Sequence, residues 1–397
     1  MPYVVTYKSP KGNEVSLDQI LFGESEENHA AKTRLYPGTV TRRYDFLPDG
    51  LYTADDIQRL IKKLSELPHM HTWYSQNMIS NYQVFTIPKR SGGVRTICAP
   101  RARLYADQVI LRSMFQNDFS ALYHTSAFAY CKGRSIKHCI QRHQANGSRW
   151  FLKLDFEDFF RNTNKAFVLQ QLEKIAPFSE VMKDAHGREL LDKAINICFL
   201  GDGLPQGTPI SPMLTNLVMI PFDHAISNLL HKHGFVYTRY ADDILISNKD
   251  KFSSGQIINL VKIVLHEQRM PYHIKHEKTR FGSSSGRNWN LGLMLNSDNR
   301  ITIGHEEHKR MKARIHHFIM DETNGRPWSR EDVDRFAGQL AYFESIEPNY
   351  AQYIIFSINK KLNVNFSRLL RSALRRNPER VKQASQDFWS ILARSVS

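Results

Sequence analysis

Two short apolar segments of this chain each end in carboxylates, and this pattern constrains the fold more than any other feature. The segment FLKLDFEDFF contains Asp155, and the segment TRYADDILIS contains Asp242 and Asp243. A carboxylate beside a buried strand is costly unless it is paired or binds a cation, and carboxylate oxygens are ligands that Mg²⁺ prefers. Two such strands side by side would hold Asp155 and Asp242 across two metal ions about 3.5–4 Å apart, which suits in-line displacement reactions.

An isolated Asp-Asp pair also has a simpler interpretation, because Asp is common in turns between hairpin strands. The segment from Phe235 to Ser247 indeed predicts a strand, a tight turn at Ala241-Asp242-Asp243 and a second strand. The context favours a site, since the pair lies between apolar strands and LPQGTPISPMLTNL separates it from Asp155.

The charge balance predicts a polyanionic partner. The 397 residues include 54 Lys and Arg against 39 Asp and Glu, a net charge of +15, which attracts nucleic acid or an anionic membrane surface. A hydrophobic content of 41% excludes wholesale disorder, and the length predicts two or three lobes. The four scattered cysteines form no Cys-x-x-Cys pair, which argues against structural zinc and favours buried free thiols.

The polar start MPYVVTYKSPKGNE and the lack of an apolar run of about eighteen residues predict no membrane association. We therefore expect a cytoplasmic protein.

Local patterns predict helices and one further hairpin around the acidic segments. The predicted elements are a helix from Thr53 to Leu67 capped by Thr53 and Asp56, a hairpin from Tyr82 to Pro100, a helix from Leu104 to Phe115, a helix from Ser211 to Lys232 kinked at Pro221, and a helical end with one start framed by Ser329 and Asp332.

Seven motifs in order resemble those of the reverse transcriptases, most of all the bacterial retron and defence-associated group. They are FTIPKRSGGVRTICAP, AFAYCKGRS, KLDFEDFF, GLPQGTPISPMLTNL, YTRYADDILIS, HEKTRF and LGLMLN, and they run from about Phe85 to Asn296. The resemblance covers more than half of the chain and implies an RNA-directed DNA polymerase.

The resemblance implies an α+β right-hand polymerase with fingers, an antiparallel palm sheet and a helical thumb. The expected domains are 1–81, an N-terminal lead-in and the start of the fingers; 82–149, fingers; 150–303, palm with a fingers insertion at about 160–204; and 304–397, helical thumb and C-terminal extension.

The resemblance also assigns the catalytic residues. Asp155 and Asp242 would be the principal ligands of two Mg²⁺ ions, for which Mn²⁺ would substitute. Asp243 would complete the carboxylate set, and Phe156 would lend its backbone carbonyl. Lys278 resembles the family lysine that acts as general acid to pyrophosphate.

Other residues would bind the nucleotide. Lys89 and Arg95 match positions that grip the triphosphate, Phe160 matches the ring that excludes a 2′-hydroxyl and favours dNTPs, and Gln206-Gly207 match the segment beside the incoming nucleotide. Without the resemblance, the hairpin cations would be a solvated face and Phe160 a core residue.

Three residues would contact the primer. Tyr240 would lie near the primer terminus, although an inward-facing core tyrosine is a nearly equal alternative. Leu291 and Gly292 resemble the hairpin that supports the primer end, which is otherwise an ordinary packing motif.

Two motifs depart from the retron pattern. Retron enzymes usually have Asn-Ala-x-x-His where this chain has Cys139 to His143, and Val-Thr-Gly where it has Asn290-Leu291-Gly292. Neither departure touches a carboxylate, but both put in doubt the recognition of a retron-type structured RNA. Another defence-associated lineage or an atypical retron is as compatible as an ordinary retron enzyme.

The leading hypothesis is a reverse transcriptase that extends a primer with dNTPs on a dedicated non-coding RNA, makes a DNA product and acts in anti-phage defence with an effector or second polymerase encoded nearby. The alternatives are a template-independent or protein-primed polymerase and a catalytically silent RNA-binding scaffold. A group II intron enzyme is disfavoured because no endonuclease extension or Cys/His cluster follows the expected thumb. The oligomeric state stays open.

Overall fold

Strands in the described part of the chain form a four-stranded antiparallel sheet and three two-stranded pairs. The structure is a computed structural model that describes residues 6–8, 14–16, 52–71, 78–89, 92–285 and 291–375. The strands are β1 (Thr6–Lys8), β2 (Glu14–Ser16), β3 (Tyr82–Pro88), β4 (Val94–Pro100), β5 (Trp150–Asp155), β6 (Val236–Tyr240), β7 (Asp243–Asn248), β8 (Arg280–Ser283), β9 (Met294–Leu295) and β10 (Ile301–Thr302).

Helices account for most of the remaining described elements. They are α1 (Ala54–Ser65), α2 (Ala102–Asp118), α3 (Ile136–Ala145), α4 (Phe159–Asn162), α5 (Lys165–Leu172), α6 (Phe178–Val181), α7 (Ala185–Asn196), α8 (Ser211–Val218), α9 (Ile220–His231), α10 (Ser254–Glu267), α11 (His305–Thr323), α12 (Arg330–Ile346), α13 (Pro348–Leu362) and α14 (Phe366–Arg375). This mixture of helices and antiparallel strands is the predicted α+β class.

The chain divides into two compact units, Met1–Ser283 and Ser284–Ser397. Parts of the predicted lead-in, the hairpin tip at Arg90 and Ser91, Asn290 and the end of the predicted thumb lie outside the described residues. The finer division into fingers, palm and thumb stays a prediction.

The four-stranded sheet lies in the first unit, with strand order β6-β7-β5-β8. Successive side chains of a strand point to opposite faces, so the register assigns each residue to a face. Asp155 is opposite Asp243, and Asp243 is opposite Tyr240. These three residues therefore share one face, which we call the carboxylate face, and Tyr237 and Arg239 lie on the other, which we call the core face.

The core face packs against helices and is mostly apolar, apart from Tyr237 and the buried Arg239. Ile244 and Ile246 of β7 are fully buried, and helix α9 packs against β6 and contributes the fully buried Phe222. Helix α3 also packs on β6, where His143 bonds to Thr238 on the carboxylate face. The sheet is thus covered on both faces away from the Asp155 end.

The local signals that predicted these elements are visible in the structure. The Thr53 hydroxyl accepts from the Asp56 amide and the Asp56 carboxylate accepts from the Thr53 amide, which completes the predicted capping box. The predicted kink at Pro221 is a division between α8 and α9, with the proline near the start of α9, where a missing N–H costs no helical hydrogen bond.

The second unit contains the β9–β10 pair and helices α11 to α14. Its core includes the fully buried rings of Phe318, Phe336 and Phe366, which contact one another. Ser329 caps α12 by accepting from the Asp332 amide, as predicted. In the described ranges, no helix combines the length and apolar character that crossing a membrane requires.

Candidate active site

Asp155 and Asp243 face one another at the end of the β5–β7 pairing. Directly opposite residues of antiparallel strands have Cβ atoms about 4.5–5.5 Å apart, and Asp155 is paired with Asp243 in the register. Asp155 is 5% exposed, and its Oδ2 accepts a 2.8 Å hydrogen bond from Lys278 Nζ. Its other oxygen, Oδ1, is buried and has no hydrogen-bond partner.

Asp243 also has a lysine partner. Lys153 Nζ lies 2.9 Å from Asp243 Oδ1, but the contact lacks hydrogen-bond geometry, so this buried oxygen has no hydrogen-bond partner. We regard the contact as an ion pair, since charge attraction depends on distance more than on angle.

Asp242 lies in the two-residue turn between β6 and β7. Its carbonyl accepts from the Phe156 amide at 3.3 Å, which ties the turn to the end of β5. Burial raises the pKa of Asp242 to about 6, and the negative charges of Asp155 and Asp243 add to this effect, while Lys278 opposes it. The site therefore holds more negative charge than its lysines neutralise.

The donor set of this site fits a divalent cation. Carboxylate oxygens are hard ligands, and Asp155 Oδ1 and Asp243 Oδ1 are buried without hydrogen-bond partners. In the described ranges, no group of three or more His, Cys, Asp or Glu side chains is close enough to hold a metal by itself. A divalent cation held by these carboxylates would complete its coordination with water and substrate oxygens.

Lys278 reaches the site because its segment pairs with the end of β5. The Lys275 amide donates to the Asp155 carbonyl at 2.8 Å, and the Glu157 amide donates to the His273 carbonyl at 2.9 Å. Lys278 follows in a short 3₁₀ turn. The structure therefore brings together Asp155, Asp242, Asp243 and Lys278, which the sequence predicted as catalytic.

Phe156 belongs to the same strand end, and its side chain is part of the core. The ring is 2% exposed and packs against Phe159, Phe222 and Tyr272. Its backbone forms an isolated bridge with Ile274. The predicted contact of its carbonyl with a metal stays a prediction.

Phe160 lies on α4, just after β5, and contacts the LPQG loop through its backbone. Its carbonyl accepts from the Leu204 amide at 2.9 Å, and Gly203 comes so close that an added Cβ would be 2.0 Å from the Arg161 carbonyl oxygen. The ring is partly buried and meets Phe159 edge-on at 5.7 Å.

Gln206 and Gly207 join this loop to the β3–β4 hairpin. The Gln206 carbonyl accepts from the Cys98 amide at 2.8 Å. Gly207 has φ of +103°, and a Cβ there would meet Ile97 Cγ2 at 2.6 Å. The structure thus connects Phe160, Gln206 and the hairpin through consecutive contacts.

The hairpin also carries Lys89 and Arg95, whose side chains are exposed. Arg95 lies close enough to lower the pKa of Tyr130, against the larger upward effects of burial, Asp242 and Tyr240. Tyr130 is therefore within electrostatic range of both Arg95 on the hairpin and the Asp242 carboxylate. Tyr130 has no role predicted from the sequence, although it belongs to the AFAYCKGRS motif.

Tyr240 is half-buried on the carboxylate face, directly opposite Asp243. Tyr240 is therefore not the inward-facing core tyrosine of the alternative interpretation. Leu291 and Gly292 lie in the second unit, where they form a turn with φ of +57° and +83° just before β9. Their predicted contact with a primer stays a prediction.

His143 lies inside the protein. It is the one residue that this chain shares with the Asn-Ala-x-x-His pattern of retron enzymes. Its ring nitrogens bond to Ser247 Oγ at 2.6 Å and Thr238 Oγ1 at 2.8 Å. Burial lowers its pKa to about 3, and the charge of Arg142 adds to this effect. The imidazole therefore connects α3 to β6 and β7 and is not exposed to a nucleic acid.

Comparisons with known proteins identify the family of this chain. The family described as reverse transcriptase (RNA-dependent DNA polymerase) matches residues 87–312. The retron Ec73 reverse transcriptase of Escherichia coli is 30% identical over 273 residues, which are 66% of this chain and 83% of that protein. The retron Mx65 reverse transcriptase of Myxococcus xanthus is 28% identical over 347 residues, 81% of this chain and 78% of that protein.

Among solved structures, the apo telomerase of Candida tropicalis aligns with a TM-score of 0.44 and 11% identity over 76% of this chain and 62% of that chain. The family match spans more than half of the chain and includes all three clustered aspartates. The chain belongs to the reverse transcriptase family and is an RNA-directed DNA polymerase that copies an RNA template and depends on a divalent metal ion.

Proposed function

We propose that this chain is a Mg²⁺-dependent reverse transcriptase that extends a primer with dNTPs on a dedicated non-coding RNA, in anti-phage defence. The observation that carries the proposal is the position of Asp155 opposite Asp243, with Asp242 in the adjoining turn, in a chain similar to retron reverse transcriptases.

In this proposal Asp155 and Asp242 are the principal ligands of two Mg²⁺ ions, with Mn²⁺ as a substitute, and Asp243 and the Phe156 carbonyl complete the set. The bound ions supply Lewis-acid activation of the primer hydroxyl and stabilisation of the leaving oxygen. Asp155 Oδ1 is available for this role because it is buried without a hydrogen-bond partner.

Lys278 donates a proton to the departing pyrophosphate in this proposal. Its ammonium group lies 2.8 Å from Asp155 Oδ2 and is half-exposed, so it is both close to the carboxylates and accessible to a phosphate. An ammonium group is a compact point charge with rotatable donors. It can therefore move its hydrogen bonds from a carboxylate oxygen to a phosphate oxygen.

The nucleotide would lie between the hairpin and α4. Exposed Lys89 and Arg95 would bind the triphosphate, since a guanidinium binds phosphate with two parallel hydrogen bonds. Phe160 would contact the sugar, and Gln206-Gly207 would line the base, because this loop bonds to both α4 and β4.

A cleft whose lining includes two cationic side chains, Arg112 and Lys132, supports RNA binding. It has a volume of about 460 Å³, and its lining includes Arg112, Tyr130, Lys132, Thr208 and Pro209. Cations lining a concave surface attract phosphates. Tyr240 would contact the primer end. By resemblance, Leu291 and Gly292 would also contact the primer. The segments 82–149, 150–303 and 304–397 would act as fingers, palm and thumb.

The buried position of His143 bears on whether this chain is a retron enzyme or belongs to another defence-associated lineage. Because this histidine bonds to Ser247 and Thr238, its retention reflects packing and does not argue for recognition of a retron RNA. We therefore keep both an atypical retron and another defence-associated lineage as candidates, each acting in the cytoplasm with an effector or second polymerase encoded nearby.

The experiment that tests the proposal is purification from cells that carry the native flanking DNA, followed by sequencing of the co-purifying RNA and DNA with and without RNase. A discrete RNA with complementary DNA is the expected result, and it identifies template and primer. RNA without DNA, even after Mg²⁺ and dNTPs are added, would contradict the proposal and favour the RNA-binding scaffold.

The same preparation separates the priming mechanisms. DNA that stays attached to protein after RNase treatment and is released by protease indicates protein priming, in which a Tyr or Ser hydroxyl starts the strand. Free or RNA-linked DNA excludes that mechanism. DNA whose sequence matches no co-purifying RNA indicates template-independent synthesis.

A further inference from the structure

Arg239 is a fully buried charged residue directly below the carboxylate turn. It lies on the core face of β6, and both its side chain and that of Asp223 are 0% exposed. Nε donates to Asp223 Oδ1 at 2.8 Å and Nη2 donates to Asp223 Oδ2 at 2.7 Å. This two-point contact fixes the plane of the guanidinium.

The remaining nitrogen of Arg239 reaches the turn itself. Nη1 donates to the Ala241 carbonyl at 3.1 Å and to Asn216 Oδ1 at 3.2 Å. Ala241 has φ of +58°, a left-handed conformation that a residue with a Cβ adopts at an energetic cost. The next residue is Asp242, so the guanidinium bonds the strained peptide that precedes a carboxylate of the active site.

The same network connects the turn to the loop before Tyr130. The Arg239 amide donates to the Ser126 carbonyl at 2.8 Å, and the Phe128 amide donates to the Arg239 carbonyl at 2.9 Å. Asn216 Nδ2 donates to the Ala129 carbonyl at 2.8 Å. One buried cluster therefore joins β6, α8, α9 and the loop that presents Tyr130.

We propose that Arg239 is a positioning residue for polymerisation. Its guanidinium, anchored by Asp223, holds the Ala241 carbonyl and thereby orients Asp242 toward Asp155. Stability alone does not explain this arrangement, because an apolar pair of similar volume usually stabilises a core as well as a buried ion pair does. The inference rests on the proposed role of Asp242 in catalysis.

The test is a double variant, Arg239→Met with Asp223→Leu, in the full chain. It removes both buried charges together, so no unpaired ion remains, but it also removes the bond to Ala241. We expect cooperative unfolding to be retained and kcat for primer extension to fall about 10- to 100-fold, as for a small misplacement of a reacting group. The KM for dNTP and the affinity for template-primer should stay within about twofold of the wild-type values, because the variant leaves the residues proposed to bind these substrates unchanged.

Hydrogen exchange gives a readout that does not depend on activity. Peptides that cover Tyr240 to Ile244 should exchange faster in the double variant than in the wild type, since the turn loses its support. Tyr237→Phe is the matched control: the Tyr237 hydroxyl donates to Asp223 Oδ1 at 2.6 Å and does not bond to the turn. This variant should keep wild-type kcat and wild-type exchange at the turn.

A folded double variant with wild-type kcat would overturn the proposal, and so would an equal loss of kcat in Tyr237→Phe. If the double variant does not fold, Arg239→Lys is tested in its place. Lysine can pair with Asp223 but lacks the planar fork that also bonds to Ala241. A similar loss of kcat is therefore expected in Arg239→Lys, and wild-type kcat in this variant would contradict the proposal. Asp242→Asn is measured in parallel. Activity in that variant would refute the proposed site, whereas an inactive Asp242→Asn beside a fully active double variant refutes only the role of Arg239.

Discussion

Asp155 and Asp243 lie directly opposite one another across the β5–β7 pairing, although the two residues come from segments far apart in the chain. Their backbones are held by the ladder hydrogen bonds of the sheet, and not by a flexible loop. Groups on strands are placed more precisely than groups on loops. The register of this pairing is therefore what fixes the two carboxylates relative to one another.

Replacing Asp242 should separate catalysis from folding. We expect Asp242→Asn, and likewise Asp243→Asn, to abolish DNA synthesis while RNA binding and folding persist, because these carboxylates bind metal in our proposal and do not pack the core. In EDTA, Asp242→Asn should raise Tm by about 2 °C or more, since burial and the charges of Asp155 and Asp243 disfavour its ionised form. Primer extension, filter binding and thermal melts measure the three quantities.

Asp250→Asn is the control for that prediction, because Asp250 is an exposed residue shortly after the same strand. It should leave synthesis and Tm unchanged. DNA synthesis at the wild-type rate in the Asp242→Asn, Asp243→Asn double variant would refute the assignment of the site.

Phe160 should determine the choice of sugar. Its ring is only partly buried beside the LPQG loop, so Phe160→Ala should open space for a 2′-hydroxyl. We expect the ratio of kcat/KM for rNTP to that for dNTP to rise at least about tenfold, a typical magnitude for discrimination by pocket shape. Single-nucleotide extension with matched dNTP and rNTP measures this ratio.

Phe159→Leu distinguishes sugar selection from core packing, because the neighbouring Phe159 ring is 2% exposed. That variant should have a lower free energy of unfolding and an unchanged ratio of kcat/KM for rNTP to that for dNTP. An unchanged ratio in Phe160→Ala would mean that Phe160 is a core residue.

The carboxylates and several helix starts were predictable because their signals are local. Thr53 and Asp56 form a capping box three residues apart, and Pro221 divides the long apolar helix. Asp155 and Asp242 stand out because each follows an apolar strand. Such patterns need no knowledge of distant contacts.

The role of Arg239 was not predictable in this way. A charged residue within an apolar strand is informative only when its partner is known, and Asp223 lies on a different element. Tyr130 was missed for the same reason, since its position near Asp242 depends on how its loop bonds to β6. The burial of His143 likewise depends on two strands that follow it by about a hundred residues.

Gly203 should be intolerant of a side chain. In Gly203→Ala the new Cβ would lie 2.0 Å from the Arg161 carbonyl oxygen. This oxygen belongs to the backbone, which cannot move aside as the end of a flexible side chain can. The loop must shift and weaken the bond from the Leu204 amide to the Phe160 carbonyl. We expect a loss of about 1–3 kcal/mol in the free energy of unfolding and a higher KM for dNTP.

Gly338→Ala is the matched control for that variant. Gly338 lies within α12, and its added Cβ would meet no heavy atom within 4 Å other than those of neighbouring residues and its own helix backbone. Alanine should therefore stabilise the helix by up to about 1 kcal/mol. Equal stabilities of the two alanine variants in urea unfolding would contradict the close approach at Gly203.

His143 should make the stability of the protein depend on pH below neutrality. Burial lowers its pKa to about 3, whereas a histidine in the unfolded chain has a pKa of about 6.5. The unfolded state therefore binds more protons between these values, so the stability that His143 contributes is complete above pH 6.5 and is lost as the pH falls toward 3.

His143→Gln tests this dependence, because glutamine does not titrate. The free-energy difference between wild type and variant, from urea unfolding, should be about 1.4 kcal/mol smaller at pH 5.5 than at pH 7.5. His138→Gln, which removes an exposed imidazole from the same helix, is the control for the loss of one histidine. A difference between wild type and His143→Gln that is the same at both pH values would show that the histidine is not held neutral between Ser247 and Thr238.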